Sequence, residues 1–127
     1  MFPKLKAIVK TTKAVGDAAE NQALQHLQRA GLTLLTRNYR TPGRGGGEID
    51  LIMQEANGTT VFVEVRQRAT DSHGGAAGSI STAKQRRIIF AARFYLMNLR
   101  TVPPCRFDVV SLEPSGIEWL RGAFDAF

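Results

Sequence analysis

The chain has 127 residues, a single cysteine and a formal net charge of +6 at neutral pH. This length allows one domain to bury a core without disulfide or metal staples. The lone Cys105 excludes an intramolecular disulfide and favours a reducing, cytoplasmic location. No apolar run reaches the roughly 18 residues of a membrane span, so a soluble protein is expected. Its excess positive charge makes nucleic acid the expected partner class, ahead of an anionic membrane surface.

The N-terminal part of the chain divides into an arm and a helix. Residues 1–15 contain four lysines and no acidic residue, which predicts a basic arm, either a phosphate-seeking tail or a solvated terminus. Residues 16–127 are expected to form one domain. Apolar positions within residues 16–30 recur at helical spacing, and Gly31 follows as a C-terminal cap. Residues 32–36 are predicted to form the first strand.

A glycine-rich segment, residues 42–47, leads into a predicted β-hairpin. The segment lacks the Gly-Lys-Ser/Thr ending and the following helix of a phosphate-binding P-loop. Residues 48–53 and 60–66 alternate between apolar and polar side chains, as strands do. A two-residue turn at Asn57-Gly58 would pair Asp50 with Val65. A three-residue loop, 56–58, with Gly58 in the left-handed conformation instead aligns all the apolar side chains.

We predict the second register. It places Ile49, Leu51 and Met53 opposite Val65, Val63 and Val61 on one apolar face. On the other face it places Asp50 opposite Glu64, and Glu48 opposite Arg66.

The remainder of the chain predicts a long helix followed by two strands. A loop of small residues, 71–78, precedes Thr82, which with Gln85 resembles a capping box. The helix should bury an apolar stripe and end before Pro103. The stripe consists of Ile88, Ala92, Tyr95, Leu96 and Leu99. Strands at residues 107–112 and 117–120 complete an α/β fold, with a central mixed β-sheet flanked by α-helices.

Four carboxylates lie between residues 48 and 64, a segment without lysine or arginine in an otherwise basic chain. In the predicted register Asp50 and Glu64 have their Cβ atoms about 5 Å apart, which is costly if both are ionised. Magnesium or manganese would offset that cost, because such ions take one or two protein carboxylates together with water and phosphate oxygens. The alternative interpretation is a set of cross-strand ion pairs on an exposed sheet face.

Residues 47–52 (GEIDLI) and 61–66 (VFVEVR) resemble the signature of the PD-(D/E)xK nuclease superfamily. More closely, the chain resembles the bacterial YraN family of predicted endonucleases, which is distantly similar to archaeal Holliday junction resolvases. Further matches are Gly16, residues 20–23 (ENQA), Lys84 and residues 106–109 (RFDV). The resemblance implies a restriction-endonuclease-like core and a metal-dependent endonuclease acting on DNA, including branched or structured DNA. It also implies that Asp50, Glu64 and Glu20 bind the metal.

The chain departs from the superfamily pattern at Arg66, where the superfamily has lysine. Arginine keeps the positive charge, but it stays protonated and cannot serve as a base. Lys84, near the start of the second helix, could supply the amine from another element. The catalytic candidates are Glu20, Asp50, Glu64, Arg66 and Lys84. The candidate nucleic-acid contacts are Arg44, Arg68, Lys84, Arg86 and Arg87.

A different class of function remains open, namely a catalytically weak or inactive nuclease-fold module that binds nucleic acid or assembles a complex. Under a purely structural interpretation of the single residues, Glu20 only complements the dipole of the first helix, and the arginines of the second helix form an ordinary solvated face. A resolvase-like role would require a homodimer with a symmetric pair of sites.

Overall fold

In the computed structural model, which describes residues 12–72 and 79–126, two helices enclose a five-stranded mixed sheet. The elements in chain order are α1 (Thr12–Arg29), β1 (Thr33–Arg40), β2 (Glu48–Gln54), β3 (Thr60–Gln67), α2 (Thr82–Met97), β4 (Cys105–Glu113) and β5 (Gly116–Phe124). The strands lie side by side in this same order. β3 and β4 pair in parallel and the other neighbours are antiparallel. The predicted α/β fold is confirmed, and it is consistent with a restriction-endonuclease-like core.

Each face of the sheet is covered by one helix, because the parallel β3–β4 connection carries α2 across one face. The core under α1 includes Ala23 and Leu27, and the core under α2 includes Ile88 and Ala92. The central strands are therefore apolar on both sides. Neither described helix is long and apolar enough to cross a membrane.

Several element boundaries differ from the predicted ones. α1 begins at Thr12, four residues before the predicted start, so residues 12–15 of the predicted arm are helical. Residues 1–11 of that arm and residues 73–78 of the predicted loop lie outside the described residues. Gly31 has φ +99°, which confirms the predicted cap of α1. β1 extends beyond the predicted residue 36 to Arg40, because its pairing with β2 continues to Glu48.

The start of α2 is capped by Ser81, one residue before the predicted Thr82. Ser81 has an extended backbone, and its hydroxyl accepts a hydrogen bond from the Lys84 N–H at 3.2 Å. Thr82 is already helical. The Gln85 side chain donates to the Ile80 carbonyl at 2.9 Å, so it does not close a capping box on Thr82.

The three-residue hairpin loop and its register are confirmed. Leu51 pairs with Val63, and Met53 pairs with Val61. Gly58 has φ +94°, and its N–H donates to the Glu55 carbonyl at 2.9 Å.

The register prediction is wrong where β2 begins, because the β2–β3 pairing ends at Leu51 and Val63. Ile49 pairs with Tyr39 of β1 and packs in the core under α2, away from the face of Leu51 and Met53. Glu48 pairs with Arg40 of β1, with 3.5 Å between their charged atoms, instead of continuing the β2–β3 ladder to Arg66.

Residues 106–109, which match the resembled family, have a structural role at Asp108. This fully buried carboxylate accepts hydrogen bonds from Arg106 Nε at 3.0 Å, Trp119 Nε1 at 2.9 Å and the Gly122 N–H at 2.9 Å. Arg106 also contacts Glu55 at 2.6 Å. Asp108 thereby fixes the irregular pairing of β4 with β5 between Phe107 and Val109.

Candidate active site

A polar cleft of about 390 Å³ lies where the glycine-rich loop, the start of β2, the middle of β3 and the first turns of α2 meet. Its charged lining residues are Glu48, Asp50 and Glu64 together with Arg40, Lys84 and Arg87. The fold therefore brings the acidic hairpin together with basic side chains from two other elements.

The glycine-rich loop is shaped by close contacts that exclude side chains. Thr41 closes the loop, because its N–H donates to the Gly47 carbonyl at 3.1 Å and its hydroxyl accepts from the Gly47 N–H at 2.7 Å. A Cβ atom at Gly46 would lie 2.4 Å from the Thr41 hydroxyl, and one at Gly47 would lie 2.0 Å from the Arg87 carbonyl. The loop thus seats the start of β2 directly against α2.

The Asp50 carboxylate occupies a position that a backbone carbonyl would normally take. The Glu55 N–H donates to Thr59, so hydrogen-bonded pairs fall at odd-numbered residues along the hairpin. In a regular continuation the Val65 N–H would donate to the Ile49 carbonyl. It donates instead to Asp50 Oδ2 at 2.8 Å. The divergence of the two strands thus turns Asp50 toward β3.

Asp50, which is half-buried, and Glu64, which is buried, form an electrostatically unfavourable pair. Burial, with the neighbouring Glu64 charge as the second cause, raises the pKa of Asp50 to about 7. Glu64 itself is only 5% exposed. The Val65 N–H and the Lys84 charge act in the opposite direction and lower the Asp50 pKa. Near neutral pH Asp50 is therefore close to half protonated, and an oxygen-seeking cation could replace that proton.

Lys84 reaches the carboxylate pair from α2. Its Nζ lies 2.7 Å from Glu64 Oε2, so an amine from another element lies beside this carboxylate, and its catalytic role stays a prediction. The position follows from the start of the helix, because Ser81 caps the first turn and Lys84 lies one turn before the buried Ile88. A cation in the first turn is disfavoured by the helix dipole. The contact with Glu64 offsets that disadvantage.

Arg66 lies beside the cleft without lining it. Its guanidinium donates a hydrogen bond to the Ser79 carbonyl, so it holds the segment that precedes α2. Glu64, Arg66 and Lys84 together line a shallow groove that adjoins the cleft. Arg66 is thus anchored to a backbone carbonyl, and the ammonium next to Glu64 comes from Lys84.

Glu20 lies on the α1 side of the pair. It forms an ion pair with Arg37 at 3.3 Å, and burial followed by the Asp50 charge raises its pKa. Glu20 lines a neighbouring pocket that shares Arg40 and Glu48 with the cleft. Across the described ranges, no three His, Cys, Asp or Glu side chains are grouped closely enough to hold a metal ion. Glu20 therefore influences Asp50 electrostatically without sharing one ligand cluster with Asp50 and Glu64.

Asn38 is a site residue that sequence reasoning missed. Its neighbours Arg37 and Tyr39 pair with Leu51 and Ile49, so Asn38 lies opposite Asp50. It is the non-glycine residue with positive φ, +53°, among those described. When its amide nitrogen faces Glu20, that nitrogen lies 3.2 Å from both carboxylate oxygens. The available signal was the residue type, since asparagine tolerates this conformation well.

The candidate nucleic-acid contacts fall into two groups. Arg87 lines the cleft, Arg44 lies on the loop between the lining residues Gly43 and Gly45, and Arg86 is exposed on α2. Arg68 does not line the cleft. It lies near Glu113, whose pKa is lowered mainly by hydrogen bonds from Ser72 and further by the Arg68 charge.

The chain is similar in sequence to known proteins over most of its length. The family model described as uncharacterised protein family UPF0102 matches residues 19–112. A relative from Albidiferax ferrireducens is 72% identical over 125 residues, covering 98% of each chain. One from Acidovorax sp. (strain JS42) is 62% identical over 120 residues, covering 94% of this chain and 91% of the relative. One from Paracidovorax citrulli is 63% identical over 116 residues, covering 91% and 86%. Each is named UPF0102 protein, a name that assigns no activity.

Proposed function

The chain belongs to the uncharacterised protein family UPF0102, and from its cleft we propose that it is a divalent-metal-dependent endonuclease that hydrolyses phosphodiester bonds in DNA. The observation that carries the proposal is the pair of half-buried Asp50 and buried Glu64, with the Lys84 ammonium 2.7 Å from Glu64. A carboxylate with a raised pKa beside a lysine in a cleft is typical of catalytic sites. The resemblance of residues 47–52 and 61–66 to PD-(D/E)xK nucleases supports the same reaction class.

The side chains present fit magnesium or manganese. Asp50 and Glu64 supply hard oxygen ligands, and a bound cation would offset the burial and the Glu64 charge that raise the pKa of Asp50. Glu20 lies outside this ligand pair: burial and then the Asp50 charge raise its pKa, and its carboxylate pairs with Arg37. When bound, such an ion would activate water and neutralise negative charge on the reacting phosphate.

The other charged residues would position the DNA backbone. With a cation satisfying Glu64, the Lys84 ammonium can donate hydrogen bonds to a phosphate oxygen. Arg87 on the cleft wall and Arg44 on the glycine-rich loop lie where they can hold the neighbouring phosphates. Arg66 remains protonated, so it stabilises negative charge and does not act as a base.

The test is cleavage of linear, nicked and four-way DNA with either metal, by the wild-type protein and by Asp50→Asn. This substitution keeps the shape of the side chain and removes its charge. Activity should fall by at least about 100-fold, since a metal ion supplies several kcal/mol of transition-state stabilisation. The control is Glu118→Gln, an exposed carboxylate on β5, which should retain activity. Equal cleavage by wild type and Asp50→Asn would identify a contaminating nuclease and contradict the proposal.

Calorimetric titration of manganese into the protein without DNA tests the cofactor separately. We expect binding that releases protons below about pH 7, because the metal displaces the proton shared near Asp50. Asp50→Asn should abolish the binding, and Glu118→Gln should preserve it. Absence of binding to the wild-type protein would leave no basis for metal-dependent cleavage.

A non-catalytic nucleic-acid-binding module is the second candidate function. The observation that favours it is that Lys84 already neutralises Glu64 and the Val65 N–H already binds Asp50, so the site is held together without a metal. This function predicts salt-sensitive DNA binding with no metal-dependent cleavage. Asp50→Asn would then leave DNA affinity unchanged or increase it, because a negative charge is removed.

A further inference from the structure

The surface of α2 that faces away from the sheet combines basic and apolar side chains. Arg86, Phe90, Arg93 and Met97 follow one another at helical spacing, opposite the buried residues Ile88, Ala91 and Ala92. We call Arg86, Phe90 and Arg93 the outer face of α2, and Met97 lies one turn beyond it. Phe90 is 51% exposed and Met97 is 79% exposed. Two large apolar side chains are thus held in solvent between arginines.

The charge of α2 favours an anionic partner for this face. The helix contains four basic residues and no acidic one, and the sequence has no aspartate or glutamate between Ser72 and Phe107. A second copy of the chain would bring arginine against arginine if the two outer faces met, which is electrostatically unfavourable. A polyanion that binds this face avoids the repulsion between arginines.

The outer face is continuous with the cleft. Lys84 points to Glu64, Arg87 lines the cleft wall, and Phe90 lies one turn further along the helix. Residues three apart on a helix are separated by about 60° around its axis. A nucleic-acid strand that leaves the cleft past Arg87 therefore reaches Phe90 next.

We propose that the outer face of α2 binds a single-stranded stretch of DNA next to the cleft, with an unpaired base stacked on Phe90. Arg86 and Arg93 would contact the adjoining phosphates. In a duplex the base faces are already stacked on each other, so an exposed ring adds affinity only where bases are unpaired. This inference rests on the proposed function, because it assigns to the cleft a substrate in which duplex and single strand meet.

The experiment compares binding of two fluorescently labelled DNAs by anisotropy in the presence of a chelator. One is a blunt duplex, and the other is the same duplex with a single-stranded overhang of about ten nucleotides, within the range of known single-strand sites. The proteins are wild type, Phe90→Ala, Phe90→Tyr and Met97→Ala. Phe90→Tyr keeps the ring, and Met97→Ala removes an even more exposed apolar side chain from the next turn of the helix, outside the outer face.

We expect Phe90→Ala to bind the overhang DNA roughly 10-fold more weakly, which is about 1.4 kcal/mol, and to bind the blunt duplex as wild type does. Phe90→Tyr and Met97→Ala should bind both DNAs like the wild type. Equal weakening for both DNAs, or no weakening, would overturn the proposal. Light scattering at the assay concentration provides a further check, because a dimer dissolved by Phe90→Ala would assign the face to self-association instead.

The two proposals fail separately. Binding is measured without metal, so an overhang preference that depends on Phe90 supports the outer face even if no cleavage is found. Metal-dependent cleavage together with an unaltered overhang affinity in Phe90→Ala would contradict DNA binding by the outer face and leave the endonuclease proposal standing.

Discussion

Asp50 owes its properties to a single departure from regular strand pairing. Its carboxylate accepts the Val65 N–H that would otherwise bind a backbone carbonyl, and this brings it against Glu64. A hydrogen bond from a backbone N–H favours the charged form of a carboxylate, whereas burial and a second carboxylate oppose it. Burial and the second carboxylate dominate, so the pKa of Asp50 lies well above its ordinary value.

This raised pKa predicts a pH-dependent stability. The unfolded value is 3.8 and the folded value is about 7, so the folded protein holds a proton that the unfolded chain releases. The stabilisation from this group is complete below about pH 4 and is lost as the pH rises through about 7. Asp50→Asn mimics the protonated form at every pH. In chelator it should therefore become more stable than wild type by roughly 2–4 kcal/mol at pH 8, with little difference at pH 4.

Denaturant unfolding at several pH values measures this difference. The matched control is Glu118→Gln, whose difference from wild type should not grow between pH 4 and pH 8. Excess manganese should restore the wild-type stability at pH 8, because a ligand that binds only the folded state stabilises it. A stability difference that stays constant with pH would contradict the assignment.

At the scale of elements, the contact between the glycine-rich loop and α2 determines where β2 starts. Gly47 packs directly on the helix backbone and on Ala91. The close approach turns Ile49 into the core under α2 and ends the β2–β3 pairing at Leu51. Because β2 and β3 no longer pair beyond Leu51, the cleft opens above Asp50.

Gly47→Ala should therefore destabilise the protein strongly. The new Cβ atom would lie 2.0 Å from the Arg87 carbonyl, and forcing such a contact costs about 3 kcal/mol or more. Gly16→Ala is the matched control, because a Cβ atom there meets nothing within 4 Å and alanine favours the interior of α1. That variant should gain up to about 1 kcal/mol. Equal denaturant midpoints for the two variants would contradict the packing of the loop on α2.

The prediction of elements from sequence succeeded where the determinants are local. The left-handed Gly58 and the alternation of residues 60–66 specify the hairpin register from the turn as far as the Leu51–Val63 pair. The cap of α2 was misassigned by one residue because Ser81 and Thr82 are both good capping residues. Only the extended backbone of Ser81 distinguishes them.

At the scale of the whole molecule, the charge distribution brings basic residues around an acidic centre. Lys84, Arg87 and Arg40 surround Glu64 and Asp50 in one cleft. Salt should therefore weaken DNA binding, since each phosphate contact releases counterions.

Arg87→Gln should reduce the slope of log affinity against log salt concentration by about one, as expected when one phosphate contact is lost. Arg29→Gln is the control. Arg29 is exposed at the end of α1, just before β1 begins. The start of β1 pairs with the end of β2 that lies away from the cleft. Arg68→Gln should also leave the slope unchanged, since its guanidinium lies near Glu113. An unchanged slope in Arg87→Gln would show that Arg87 does not contact a DNA phosphate.

The sequence alone determined the fold class, the register of the hairpin next to its turn and the choice of Asp50 and Glu64 as the candidate pair. These follow from periodicity, turn chemistry and the segregation of charge, all of which are readable within short windows. The tertiary structure decided that Lys84 contacts Glu64, that Glu20 pairs with Arg37, that Glu48 pairs with Arg40 and that Asn38 lies opposite Asp50. Each of these contacts joins side chains from different elements. Their partners are set by how helices and strands pack, and no local pattern encodes that packing.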